Sequence, residues 1–364
     1  LVYGAMGISA GYATNIPPHN LGEVIDATIH RIDNPNCSLD TLMKYVKGPD
    51  FPTGGIVEGI KGIRDAYETG KGRVIIRSKY TFEGNSLVIT EIPFEVNKAL
   101  LVKKIDDIRL DKKIDGIVEV RDESAEDVRI VVDLKKSANR ELIVNYLLKN
   151  TDLQINYNFN VVAIDNKRPK TLGLLEILDA FILHKEEVVI NRSKFDLEHS
   201  KKRLHIVEGF IKALDILDEV IKTIRKSKNK ADAIENLVKE YDFTTEQATA
   251  IVMMQLYKLT NTDVTDLQNE HANLLELIKY LTSVINDESV LKGVMKEELR
   301  SIKKEFATPR RPIIKDEITE IKIDELSMIP KEDFIVSVSK SGYIKKLSVK
   351  VYNANNETEY VLKE

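Results

Sequence analysis

The 364-residue chain contains one cysteine, Cys37, and no tryptophan. A lone thiol cannot close an intrachain disulfide, so a reducing, cytoplasmic setting is expected. No apolar run approaches the ~20 residues of a membrane span. The most apolar stretch, Leu174–Leu183, is broken by Glu176 and Asp179. No basic-then-apolar targeting segment opens the chain, and its first residue is Leu1 rather than Met, so a natural beginning lost by processing or design is expected. An excess of positive charge is missing too. Lys and Arg number 54 against 58 Asp and Glu, a net charge of −4. That excludes a uniformly basic protein held on DNA by bulk attraction to phosphate, but it leaves room for a local DNA site. Residues 1–170 hold 24 basic and 24 acidic groups, so the acidity falls on the remainder, with 30 and 34.

Signs of catalysis are equally scarce. The six histidines are scattered, and no Cys/His cluster has metal-ligand spacing. The glycine-rich run from Gly4 to Gly11 is not G-x-G-x-x-G, and Gly70-Lys71-Gly72-Arg73 lacks the Ser/Thr and the earlier Gly of a phosphate loop. On spacing alone the chain shows no catalytic constellation.

What is present falls into three regimes. Up to about Lys170, short β-rich runs alternate with helical ones. Arg73–Ser78 and Ser86–Ile92 read as strands around a turn at Glu83-Gly84-Asn85, followed by a helix over Asn97–Leu110. Strands at Ile117–Val120 and Val128–Leu134 and a helix at Asn139–Leu148 repeat the order. This predicts an antiparallel sheet with helices on one face, an α+β layer. From Thr171 to Phe306 there is no proline and only Gly173, Gly209 and Gly293. Leu197, Ser200, Leu204, Val207, Ile211, Leu214, Asp218 and Ile221 follow 3-4 spacing, as do Val264, Leu267, His271, Leu274, Ile278, Leu281 and Ile285. A compact block between them holds helices at Ala231–Glu240 and Gln247–Leu259, the second behind a capping box at Thr244–Gln247. The expected shape is an antiparallel two-helix arm with a knob at its tip. After Pro309 and Pro312, Asp333–Ser339 and Gly342–Val349 read as a hairpin.

Three features invite a functional reading. The first twenty residues carry no charged side chain, and Ile8 sits there among small residues. That composition suits a wedge into a DNA base step, or a buried turn. Arg73, Arg77 and Lys79 alternate along one expected strand and so share a face, either a phosphate track or a solvated surface. The knob's second helix is apolar on more than one side, which fits local core or a self-association surface.

The segments GISAGYATNIPPHNLGEVIDA (Gly7–Ala27), KGPDFPTGG (Lys47–Gly55), AYETGKGR (Ala66–Arg73), ITEIPFEVNK (Ile89–Lys98), DGIVEVRDES (Asp115–Ser124) and KNTDLQINYNFNVVAID (Lys149–Asp165) together resemble the A subunit of bacterial type IIA DNA topoisomerases. HIVEGFIKALDILDEVI (His205–Ile221) and QLYKLTNTD (Gln255–Asp263) extend the likeness over essentially the whole chain. KGPDFPTGG and KNTDLQINYNFN look more like topoisomerase IV of Gram-positive type than gyrase. A gyrase fragment and a non-catalytic coiled-coil dimerisation protein are the alternatives.

The resemblance implies a tower domain over residues 1–170, coiled-coil helix one over 171–226 and a C-gate knob over 227–261. Coiled-coil helix two over 262–306 and a linker and hairpin over 307–364 complete the map. A winged-helix region would precede this chain and a C-terminal pinwheel would follow it. The family's nucleophilic Tyr directly follows an Arg, and none of the 13 Tyr here does, so no catalytic residue is carried over. By motif position Ile8 matches the family's DNA-bending intercalator, although Tyr3-Gly4-Ala5-Met6 departs from the usual Asn-Gly-Ser text before it. Met253, Met254, Leu256 and Tyr257 match the C-gate dimer contact. The implied partners are duplex DNA, a second copy of the chain and a B subunit in an A2B2 enzyme. That enzyme uses Mg2+ and ATP mainly through the B subunit, with no cofactor in this chain. It would be cytoplasmic and chromosome-associated, and the fragment alone inactive.

Overall fold

The computed structural model describes residues 1–165, 167–254, 261–321, 334–349 and 351–353, the side chains of 261–263 excepted. The chain opens with strands β1 (Ala5–Ser9) and β2 (Tyr12–Ile16), then helices α1 (Leu21–Asp33) and α2 (Leu39–Leu42). Asn20 caps α1 by accepting from the Glu23 N–H, as its position before the apolar repeat requires. Strand β3 (Ile56–Glu58), helix α3 (Ile60–Thr69) and strand β4 (Lys71–Arg77) follow. Helix α3 lies directly on β4 because both contact points are glycine. A Cβ on Gly62 would fall 1.8 Å from the Arg73 carbonyl oxygen, and one on Gly72 2.1 Å from that of Gly62.

Next comes the α+β layer: β5 (Lys79–Glu83), β6 (Ser86–Glu91), α4 (Lys98–Leu110), β7 (Ile117–Asp122), β8 (Ile130–Leu134) and α5 (Arg140–Asn150). The four strands form an antiparallel sheet in the order β5-β6-β8-β7. Leu101, Ile105 and Ile108 of α4 and Ile143 and Leu147 of α5 bury against Leu87, Ile89, Ile130 and Val132. The expected strand–strand–helix repeat is therefore present, with one correction. The hairpin partner of β6 is β5, not the Arg73–Ser78 run, which belongs to a different sheet. The chain passes from β4 to β5 through the buried Ser78 with no turn residue, so the sequence reads as one continuous strand where the structure has two.

Strands β9 (Gln154–Asn160), β10 (Val162–Asp165) and β11 (Arg168–Thr171) lead into the arm. Its outgoing limb is α6 (Leu174–Asp215) and α7 (Leu217–Lys226), and its tip is α8 (Lys230–Tyr241) and α9 (Thr245–Val252). The returning limb is α10 (Asn261–Asn286), packed along α6, and α11 (Glu288–Phe306). Ser200 and Val207 of the expected seam are buried, and Arg203 bridges to Glu270 across it at 2.6 Å. The seam is not one helix through Ile221, because the backbone breaks at Ile216 (φ −122°, ψ 36°). Phe243, Leu237, Ala248 and Ile251 close a small core over Ala213 and Val220 at the tip. Thr244 and Gln247 form the expected capping box, but α9 ends at Val252, and residues 255–260 of the longer helix expected there lie outside the described residues.

Beyond the arm, β12 (Ile313–Lys315) returns to the first sheet and pairs in parallel with β3. Strands β13 (Phe334–Val338) and β14 (Ile344–Ser348) form the expected hairpin. The main sheet has the order β1-β2-β9-β4-β3-β12. One of its faces buries Val74, Ile76, Tyr157 and Phe159 against α3 and the start of α6.

Candidate nucleic-acid interface

The uncharged opening block is not a buried turn. It is the β1–β2 hairpin, with Ile8 opposite Ala13 and Met6 opposite Asn15. Ile8 is 92% exposed and Met6 69% exposed. The hairpin leaves the sheet at a defined point. The backbone ladder between β2 and β9 consists of Asn15 against Asn160, and side chains then take over. The Thr14 hydroxyl donates to the Val162 carbonyl (2.8 Å), the Asn15 amide to that of Asn158 (2.8 Å) and the Asn160 amide to that of Ala13 (2.6 Å). Tyr157 donates its hydroxyl to Asn15 Oδ1 at 2.8 Å. At the root, Gly4 has φ +70°, and a Cβ there would fall 2.6 Å from the Ile16 carbonyl oxygen.

Register places Ile8 in company. Residues paired across a sheet share a face, and alternate residues along a strand do too. Asn160, Asn158, Asn156, Lys71 and Arg73 alternate with the buried Tyr157, Phe159 and Val74 and so belong to the face opposite the core, and the Ile8 hairpin joins the edge of this row at the Asn15–Asn160 pair. Neither β4 nor β9 contains a carboxylate. The face is thus a row of amides with two exposed cations beside an exposed apolar tip. Arg73 donates from Nε to Asn156 Oδ1 at 3.1 Å, which holds its guanidinium along the row.

The expected basic strand of Arg73, Arg77 and Lys79 does not form as one track. Arg77 is buried, 3.4 Å from the fully buried Glu58 and donating to Gln154 and to the Thr319 carbonyl. Lys79 begins β5 in the other sheet and pairs with Glu91 at 3.1 Å. Only Arg73 of the three stays exposed on the main sheet: the break at Ser78 carries Lys79 into the other sheet, and Glu58 with the segment at Thr319 buries Arg77.

One important residue escaped the sequence reading. His19 is buried beneath the hairpin root, 2.8 Å from the Pro17 carbonyl through Nδ1 and 2.8 Å from the Tyr67 hydroxyl through Nε2. A carbonyl only accepts, so Nδ1 carries the proton and Tyr67 donates to Nε2. Burial lowers the imidazole pKa to about 4 and pushes the Tyr67 phenol well above its usual value. Asn20 donates to Asp50 (2.8 Å) and to the Thr308 carbonyl (2.9 Å), which ties the hairpin root to the segment after the arm. The Pro17-Pro18-His19-Asn20 motif was the available signal.

At the arm's tip Met253 is 63% exposed and Met254 is half-buried, while Leu256 and Tyr257 lie outside the described residues. Among the described residues no three His, Cys, Asp or Glu side chains converge as a metal site. No described helix is long and apolar enough to cross a membrane.

Residues 1–300 match the family model for the A subunit of DNA gyrase and topoisomerase IV. The chain belongs to this family. It is 56% identical over its full length to the A subunit of DNA topoisomerase 4 from Staphylococcus epidermidis and 57% identical to that from Staphylococcus aureus, covering 46% of each relative. The Streptococcus pneumoniae protein of the same name is 56% identical over 99% of the chain, which covers 44% of that relative. The chain therefore spans slightly under half the length of these relatives. Their names agree with the topoisomerase IV wording of the Lys47–Gly55 and Lys149–Asn160 motifs.

Proposed function

We propose that the chain is the DNA-bending and exit-gate portion of a topoisomerase IV A subunit, part of an ATP-dependent enzyme that passes one duplex through a double-strand break to decatenate and relax DNA. The observation that carries this reading is the exposed Ile8, on a hairpin that joins a row of amides and cations borne by two strands without a carboxylate of their own. An apolar side chain entering a base step costs a few kcal/mol of unstacking, which contacts along the bent duplex offset. Arg73 and Lys71 serve as phosphate contacts, and the Asn156, Asn158 and Asn160 amides offer both donors and acceptors to the backbone.

Residues 1–170 act as the tower, 171–226 and 262–306 as the coiled coil, and 227–261 as the gate. The gate surface, Met253, Met254, Leu256 and Tyr257, joins two copies. With no Arg-Tyr pair in its sequence, this chain contributes shape and gating rather than the nucleophile. Mg2+ and ATP act mainly through the B subunit of an A2B2 complex in the cytoplasm, on the chromosome. The net acidity after residue 170 keeps the arm clear of bound DNA.

The test is a ~30 bp duplex labelled at both ends and titrated at low salt, where phosphate contacts are strongest. Energy transfer should rise on binding and fall back with Ile8→Ala. An unchanged bend in that variant removes the wedge, and no salt-sensitive binding at all would leave a coiled-coil dimerisation protein.

A further inference from the structure

A second hairpin stands beside the first. Strands β10 and β11 pair Val162 with Thr171 and Asp165 with Arg168, and β10 lies against β2. The Thr14 hydroxyl joins the two hairpins through the Val162 carbonyl. Strand β9 runs antiparallel to β2, and β10 follows it after Val161 alone, so the chain heads toward the start of β2. The turn end of β10–β11 therefore lies at the same end of the structure as the Ala10–Gly11 turn of the Ile8 hairpin.

The two tips differ in chemistry. The first is uncharged, whereas the second presents exposed Lys167 and Arg168. Lys167 has φ 62°, in the left-handed region. Neither cation meets a carboxylate among the described residues, while the neighbouring Lys170 is neutralised by Asp165 at 2.5 Å. Lys167 and Arg168 thus form no described ion pair, at the end of the structure that also carries the Ala10–Gly11 turn.

We propose that the β10–β11 hairpin is a second DNA contact, in which Lys167 and Arg168 seat on backbone phosphates flanking the step that Ile8 enters. This rests on the DNA-bending reading above. Neutralising phosphates on one side of a kinked step lowers the cost of holding the bend, so the apolar tip opens the step and the cationic tip holds its flank.

The test uses the same duplex and the 364-residue chain. The double variant Lys167→Asn/Arg168→Gln removes both charges and keeps at position 167 a residue type that tolerates a left-handed backbone. The slope of log affinity against log salt should drop by about 2, one for each phosphate no longer neutralised, and low-salt affinity by roughly tenfold. The exchange Lys167→Arg/Arg168→Lys should restore both, which a merely structural role for either side chain would not produce. An unchanged slope in the double variant, with Ile8→Ala still abolishing the bend, overturns the cationic contact and leaves the wedge. A reduced slope with Ile8→Ala still bending leaves the contact and overturns the wedge. Absence of salt-dependent binding by the unsubstituted chain overturns both.

Discussion

Glu58 and Arg77 form an ion pair at 3.4 Å in which the carboxylate side chain has no solvent exposure. The same carboxylate accepts from the Thr319 backbone N–H at 3.0 Å and from its hydroxyl at 3.1 Å, and Arg77 donates to the Thr319 carbonyl. Strand β4, strand β3 and the segment after the arm thus meet at one buried pair of charges. Arg77→Met should cost about 3 kcal/mol in urea denaturation, because the interior carboxylate loses its closer cation and keeps Lys315 at 4.0 Å. Glu58→Gln/Arg77→Met should cost clearly less than that single change, since no interior carboxylate remains. A single variant within ~0.5 kcal/mol of the parent would refute the buried-pair assignment.

His19 gives the fold a pH dependence of definite sign. Its folded pKa, about 4, lies below the ordinary 6.5, so the unfolded chain binds the extra proton between those values. Stability from this group is complete above pH 6.5 and is lost as pH falls toward 4, by up to ~1.4 kcal/mol per pH unit. His19→Gln should be less stable at neutral pH but lose less on acidification. Denaturant midpoints at about pH 7 and about pH 4.5, on either side of most of that window, decide it. Parallel losses in both proteins would place the acid sensitivity elsewhere.

Two glycines should respond oppositely to alanine. A Cβ at Gly62 meets the Arg73 carbonyl at 1.8 Å, so Gly62→Ala must push α3 off the sheet, at a cost near or above ~3 kcal/mol. Gly293 lies in α11 with nothing within 4 Å of its Cβ position, so Gly293→Ala should be neutral or stabilise by up to ~1 kcal/mol. Thermal melts that rank the two the other way would contradict the packing.

The proposed gate makes a claim about association. Met253 is exposed at the tip of the arm. Met253→Asp would place a charge in an apolar contact between copies and should weaken dimerisation at least tenfold, which is ~1.4 kcal/mol or more. Sedimentation equilibrium is the measurement, and an unchanged association constant would exclude Met253 from the contact.

Much of this architecture is legible from periodicity and punctuation. The Thr244 capping box is a local signal that stands where the sequence puts it, and the helices expected to open at Asn97 and Asn139 begin one residue later, with those asparagines as their caps. Three features were not legible, for separate reasons. The switch of sheets at Ser78 carries no turn residue, and the break at Ile216 carries no Gly or Pro. Burial of Arg77 depends on Glu58 and Thr319, 19 and 242 positions away, which no local pattern encodes. Of the site, Ile8 was readable as an uncharged, small-residue context. Lys167 and Arg168 come to the Ile8 end through the packing of β10 against β2, a contact that no local pattern encodes.

The parallel pairing of β12 with β3 makes the whole arm an excursion between two strands of one sheet. Both of its roots are embedded: Leu174 and Leu178 in the sheet's core, and α11 against α1 through Lys296–Asp33 and Lys303–Asp26 at 2.6 Å. A load applied at the tip therefore reaches the body through two attachments rather than one, so the arm can transmit torque as well as tension. Its reach is also a free variable, since matched turns added to or removed from α6 and α10 would change the span without altering the sheet's strand order.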